Sequence, residues 1–360
     1  MKLNKCKLGD LITQRREKYS GGDLPICGVT RDGFIPPKQK DADTSLYNVF
    51  YKKDFVFNPA RMELNSIVFN DKYDKAICSS LYEMFYVSRE DLIMPEFLAL
   101  IVKQDSFTRF CEFIGSGSAR EYCRVANISE LVVEFPDLNE QEQIVKQHKV
   151  LRERIELKKQ INDNLEAAAR AIYKKMFIED VDLTNLPNDW QITELGSVAE
   201  LSAGGDRPTV YSDFPTDICQ VPIFSNGIDK EGLYGYTDKA KIFDESVTVS
   251  ARGTVGYVFL RDEPYVPIVR LISVIPNTDY VTAKYLYFAL ADIDLQSTGT
   301  SQQQITVPDF KKRLITIPNK ASMCRFTEHI EPLFKTIKQN KMEILSLMAL
   351  QTNYLALLSR

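Results

Sequence analysis

Two stretches of this chain, 182 residues apart, carry the same long helical rhythm, and few folds accommodate that. The first, Asn139 to Phe177, holds neither Pro nor Gly and is dominated by good helix formers. Asn139 with Glu142 makes a capping box, and Pro136 bars an earlier start. Positions alternating by four and three run Ile144, His148, Leu151, Ile155, Lys158, Asn162, Leu165, Ala169, Ile172, Met176. That is a coiled-coil seam, apolar at both ends and polar in the middle. Such a helix is roughly 58 Å long and needs a partner helix.

The partner has the same rhythm: Phe326, Ile330, Leu333, Ile337, Asn340, Ile344, Leu347, Gln351, Tyr354, Leu358. Asn340 stands where Lys158 stands, so the polar break recurs. A repeat in register over a whole helix signals internal duplication. It extends upstream. L-V-V-E-F-P (Leu131 to Pro136) matches R-L-I-T-I-P (Arg313 to Pro318), each after a polar Gly loop, G-S-G-S at Gly115 and S-T-G-T-S at Ser297. K-L-G-D-L at Lys7 matches E-L-G-S-V at Glu194. The expected order is globular part, long helix, globular part, long helix. The boundaries are 1–138, 139–177, an acidic linker 178–193 with Trp190 anchoring the second globular part, 194–318 and 319–360.

With 360 residues, each globular part is large enough for its own core. No apolar run suggests a signal peptide or a membrane span. Seven cysteines without a C-x-x-C pair argue against zinc and for a reduced, cytoplasmic setting. The two histidines, His148 and His329, fall on the long helices, which disfavours His-based catalysis or metal binding. The net charge of −4 is uneven: −1 over 1–138, +3 over 139–177, −9 over 178–318 and +3 over 319–360. A lone DNA-binding module is usually basic, and this chain is not.

The first globular part reads as mixed α/β, with strands at Tyr47 to Tyr51, Phe55 to Phe57, Ser66 to Phe69 and Met84 to Val87 and a helix from Pro95 to Lys103. Loops carrying Arg31, Lys52, Lys53, Arg61, Ser118, Arg120 and Tyr122 suit phosphate and base-edge contacts, although an ordinary solvated loop is the simpler reading of any one of them. In the second part, P-I-F-S-N-G-I-D-K-E-G-L-Y-G-Y (Pro222 to Tyr236), rich in Gly and aromatics, reads as strands joined by tight turns. V-T-V-S-A-R-G-T-V-G-Y-V (Val247 to Val258) is strand, polar turn, strand, and Tyr285 to Ala291 is a short helix. Candidate DNA contacts are Asn226, Ser250, Arg252, Thr254, Thr300, Gln302 and Gln303. Arg suits guanine N7/O6 and Gln suits adenine N6/N7, although a surface turn with an incidental Arg fits too.

Catalytic signatures are missing. N-P-A-R at Asn58 lacks the second Pro and the aromatic of an adenine methyltransferase tetrapeptide, and no G-x-x-x-x-G-K-(S/T) loop exists. Asp137 with Glu156 and Lys158 imitates a nuclease pattern, but a helix would hold them more than ~25 Å apart. An enzyme in its own right is therefore disfavoured.

The chain resembles the specificity subunit of type I restriction–modification enzymes over nearly its whole length. The carriers are L-P-N-D-W-Q-I-T-E-L-G-S-V-A-E-L-S-A-G-G-D-R-P (Leu186 to Pro208), S-A-R-G-T-V-G (Ser250 to Gly256) and the two strand–Pro–helix units. The resemblance implies a mixed α+β fold. Two α/β target-recognition domains are separated by two long helices packed as an antiparallel coiled coil, with an internal pseudo-two-fold repeat. It implies a non-catalytic subunit that reads an asymmetric, bipartite target on double-stranded DNA and directs adenine methylation and restriction by its partners. Those partners are two modification (methyltransferase) subunits and, in some systems, restriction/translocase subunits, with no membrane involved. No cofactor is implied in this chain; S-adenosylmethionine, and ATP with Mg²⁺, belong to the partners. Two features depart from the family's pattern: the second helix opens A-S-M-C-R-F rather than E-Q-E-Q-I, and the second domain is strongly acidic. The acidity leaves a second reading open, a coiled-coil scaffold whose ends bind protein.

Overall fold

The computed structural model of the chain describes residues 3–37, 43–115, 122–179, 181–182, 185–253, 255–293 and 304–357. Its α-helices are α1 (Pro95–Ile101), α2 (Asp105–Gly115), α3 (Val125–Ser129), α4 (Leu138–Lys174), α5 (Ala283–Ala291), α6 (Val307–Lys311) and α7 (Lys320–Leu357). The chain divides into unit 1, residues 1–159 with 341–360, and unit 2, residues 160–340. The division falls within both long helices.

Unit 1 holds strands β1 (Asn4–Lys7), β2 (Ile12–Arg15), β3 (Ile26–Thr30), β4 (Gly33–Ile35), β5 (Asn48–Tyr51), β6 (Phe55–Phe57), β7 (Ile67–Phe69), β8 (Lys75–Cys78), β9 (Glu83–Val87) and β10 (Val132–Phe135). They form sheets of order β2-β9-β6-β7 and β4-β3-β8-β5, with β1 paired antiparallel to β10. The short strands are aromatic and β-branched because both faces are covered: Phe55, Phe57 and Phe85 are fully buried, and the Phe55 and Phe85 rings stack at 4.8 Å. Helix α1 ends two residues before the sequence suggests, at Ile101. Lys103 turns away to hydrogen-bond carbonyls elsewhere.

Helix α4 starts at Leu138, and the expected Asn139 cap is corrected: Asp137 does the capping. Its Oδ1 accepts the Glu140 N–H at 3.0 Å and its carbonyl the Gln141 N–H at 3.0 Å. In unit 1, α4 runs antiparallel to the end of α7: His148 meets Gln351 at 2.9 Å, and Lys158 pairs with Glu343 at 2.9 Å. Arg154 also bonds Glu343. Ile144 and Ile155 are buried, while Leu151, Ile344, Leu347 and Tyr354 are half-buried.

Unit 2 repeats the plan with β11 (Gln191–Glu194), β12 (Ala199–Ala203), β13 (Val221–Phe224), β14 (Leu233–Thr237), β15 (Ser246–Val249), β16 (Val258–Arg261), β17 (Val266–Pro267), β18 (Ile272–Pro276) and β19 (Leu314–Ile317). The sheets are β12-β18-β15-β16 and β14-β13-β17, with β11 antiparallel to β19. Strand β11 begins inside the acidic segment read as linker, and Trp190 lies 5.7 Å from Phe177. The repeat is visible in detail. Leu8 N–H donates to Leu131 O at 2.7 Å, and Leu195 N–H to Arg313 O at 2.8 Å. Gly9 and Gly196 follow these residues. A Cβ on either would come within 3.0 Å of Ser129 or Lys311, so both positions need glycine for close approach to α3 and α6.

In unit 2 the long helices pack around Tyr173, Phe177, Tyr285, Phe288 and Phe326, with Ala169 and Ile330 fully buried. Leu165, Ile172 and Leu333 are half-buried and Ile337 is buried. Asn319 caps α7 as Asp137 caps α4, its Oδ1 accepting the Ser322 N–H at 2.9 Å. Leu358, a seam position in the sequence, lies outside the described residues.

Candidate nucleic-acid interface

In unit 1, Arg31 is exposed in the turn between β3 and β4. Lys103 ties that turn down, its Nζ donating to Arg31 O and Ile67 O, both at 2.7 Å. Burial, with the neighbouring Arg31 charge, lowers the Lys103 pKa to about 8. Arg61 is exposed in a 3-10 turn, Pro59–Leu64, whose start is capped by Asn58 Oδ1 accepting the Ala60 N–H at 3.1 Å. Cys123 N–H donates to Pro59 O at 3.1 Å, which brings the exposed Tyr122 beside that turn. Arg124 lies 5.7 Å from the Tyr122 ring and pairs with Glu83 at 2.8 Å. A cavity of about 430 Å³ opens here, lined by Thr30, Asn58, Arg61 and Tyr82 among others.

The fold thus gathers Arg31, Arg61 and Tyr122 at one end of β6. Lys52 and Lys53 sit at its other end, in the β5–β6 turn, paired with Asp74 at 3.6 Å and Glu90 at 3.2 Å. Both pairs are exposed, so a phosphate can displace the carboxylates at little cost. Asp54, which no sequence motif marks, fixes this turn. It accepts Arg15 Nε at 2.6 Å and Nη2 at 3.0 Å, and the Tyr51 N–H at 2.7 Å. Ser118 and Arg120 lie outside the described residues.

In unit 2, Arg252 is exposed in the turn after β15, and its Nη2 donates to Gln304 Oε1 at 3.3 Å. Ile305 N–H donates to Ala251 O at 3.1 Å. The Arg turn and the end of the Gln run therefore adjoin, although they are some fifty residues apart in sequence. Ser250 is buried, 1% exposed, because it continues a strand that is covered on both faces. Its hydroxyl therefore does not stand at the surface, and it has no hydrogen-bond partner among the described residues. Asn226 is half-buried and its carboxamide is committed to backbone: Nδ2 donates to Val269 O at 2.6 Å, and Oδ1 accepts the Ala251 N–H at 2.7 Å. Thr254, Thr300, Gln302 and Gln303 lie outside the described residues.

Other charges serve the framework. Arg261 is 3% exposed, lies 3.6 Å from the Phe224 ring centre and donates to Thr248 Oγ1 at 2.9 Å, with burial lowering its pKa to about 10. Lys284 is held by Glu245 and Glu331. Asp137 is occupied as a helix cap and Lys158 as a salt-bridge partner, so neither is arranged for chemistry. Among the described residues no three His, Cys, Asp or Glu side chains cluster to hold a metal, and no helix is long and apolar enough to cross a membrane.

A family model for the type I restriction modification DNA specificity domain matches residues 4–167 and again 187–347. The chain is 30% identical to a protein of Mycoplasma pneumoniae assigned as a type I specificity subunit, over 67% of this chain and 73% of that one. It is 21% identical to the specificity subunit of the type I restriction enzyme HindI of Haemophilus influenzae, over 84% of this chain and 85% of that one. The crystal structure of a type I restriction–modification S subunit from M. genitalium shares its fold, with a TM-score of 0.60 and 15% identity, over 99% of this chain and 96% of that one.

Proposed function

Because the chain belongs to the type I restriction–modification DNA specificity family, we propose that it reads an asymmetric, bipartite target on double-stranded DNA, one half per globular unit. Its role is that of the DNA specificity subunit rather than a scaffold. The chemistry falls to partners: two modification subunits bring S-adenosylmethionine and methylate adenine, and restriction subunits, where present, use ATP and Mg²⁺. The complex works in the cytoplasm.

The observation that carries the reading is the contrast between framework and loops. The β1–β10 and β11–β19 pairs, the glycine turns and the capped long helices repeat. The loops that carry exposed arginines do not: Arg31 and Arg61 lie in unit 1, Arg252 in a different kind of turn in unit 2. A shared frame with different loops suits two unlike half-sites. Residues 1–138 and 194–318 serve as the recognition domains, 178–193 as linker, and 139–177 with 319–360 as the spacer that sets the gap between half-sites.

The test is the adenine-methylation map of host DNA with the gene intact and deleted. Loss of one split, asymmetric motif on deletion is the expected result. An unchanged map in cells that express the chain contradicts the reading.

A further inference from the structure

We infer that Arg270, which no motif marks, contacts DNA together with Arg252, and that Asn226 is the positioning residue that fixes both. The assignment rests on the DNA-specificity reading and names the residues of unit 2 that carry it.

Val269 and Arg270 both adopt left-handed backbone, with φ of 52° and 62°. A β-branched valine tolerates this poorly, and two such residues in succession persist only where the surroundings dictate them. Three hydrogen bonds dictate them here. Val269 N–H donates to Gly205 O at 2.8 Å, Arg270 N–H to Gly204 O at 2.9 Å, and Asn226 Nδ2 to Val269 O at 2.6 Å. Gly204 is required as glycine, since a Cβ there would lie 2.7 Å from Ile268 N and from Pro267 C.

The same Asn226 carboxamide accepts the Ala251 N–H at 2.7 Å. One planar group therefore ties the carbonyl before Arg270 to the amide before Arg252, and the two arginines leave the backbone from neighbouring points. Both are exposed, and among the described residues neither joins an ion pair, in a segment where acids outnumber bases. The structure orders backbone at the expense of strain and starts two exposed arginine side chains from adjacent backbone. Their shared chemistry is bidentate recognition of phosphate oxygens or of a guanine O6/N7 edge.

The test uses the full complex with its modification subunits and duplexes carrying the methylated motif or a scrambled one. Arg270→Ala should leave the melting temperature unchanged and weaken binding about tenfold or more. Arg270→Lys separates the two targets: a phosphate contact survives with its salt dependence, whereas a guanine contact is lost and the motif relaxes at one position. Asn226→Ala should weaken binding in the wild-type background but add nothing to an Arg252→Ala/Arg270→Ala double variant, which a merely structural role would not produce. The inference is overturned if Arg270→Ala binds and methylates as wild type with the same salt slope, or if Asn226→Ala costs the same affinity in both backgrounds. A wild-type complex that cannot tell motif from scrambled duplex instead sinks the DNA-specificity reading. If wild type discriminates and Arg270→Ala binds both duplexes as tightly as wild type does, only this assignment fails.

Discussion

Asn340 Nδ2 donates to Asn162 Oδ1 at 2.8 Å, at the end of the helix pair of unit 2, with Asn340 only 4% exposed. A polar pair at seam positions costs stability and fixes register, because any slip leaves a buried amide unpaired. Replacing both by Leu should raise stability by about 1–2 kcal/mol, whereas Asn340→Leu alone, which strands Asn162, should not. Thermal denaturation of the single and double variants measures this; a double variant less stable than the single contradicts it.

Glu343 supplies the other polar break. Its carboxylate is bonded by Lys158 and by Arg154, and these bonds hold its pKa below the usual glutamate range. A depressed carboxylate contributes stability above its unfolded pKa and loses it as pH falls through the folded value. Wild type should therefore melt above Glu343→Gln at neutral pH, and the difference should shrink as pH falls below the ordinary glutamate value of about 4.3. Melting curves from pH 7 to pH 3 test this, and a difference that grows in acid refutes it.

Gln141 is fully buried at the start of α4 and ties the β10–α4 junction of unit 1 to the segment before α1. Its Nε2 donates to Leu92 O at 2.9 Å and Pro136 O at 2.8 Å, and its Oε1 accepts the Met94 N–H at 2.8 Å. Gln141→Leu strands two carbonyls and an amide and should cost about 2–4 kcal/mol. Urea denaturation reads this directly; a loss within experimental scatter would mean that water replaces the clasp.

Lys103 titrates near pH 8 instead of 10.5, because burial and the Arg31 charge disfavour its ammonium. The unfolded chain binds more protons between those values, so the contribution of this group to stability rises with pH across that window. The ¹³Cε resonance of Lys103 should titrate near pH 8. A midpoint near 10.5 would show that the amine is fully hydrated.

The long helices and the duplication were legible because a four–three rhythm in two copies arises in few folds besides a duplicated helix pair. The cap was misplaced by two residues, since Asn139 and Glu142 satisfy the capping-box spacing while Asp137, directly after Pro136, sits where the first free amides point. The second copy held the clue: Pro318-Asn319 occupies the equivalent place. Arg252 and the Gln run could be named from loop chemistry, but not their adjacency, which comes from the Ala251–Ile305 hydrogen bond. Asn226 stands in a polar loop like the other candidate contacts; only the fold shows both ends of its amide spent on backbone. Nothing in V-P-I-V-R-L (Val266 to Leu271) announces two left-handed residues, since neither Val nor Arg favours that conformation.

The most direct test of one reading unit per half-site is an exchange of residues 1–138 for those of another family member, followed by mapping of methylated adenines. The account predicts that one half of the split motif changes while the other half stays as it was. A motif altered in both halves, or in neither, would contradict it.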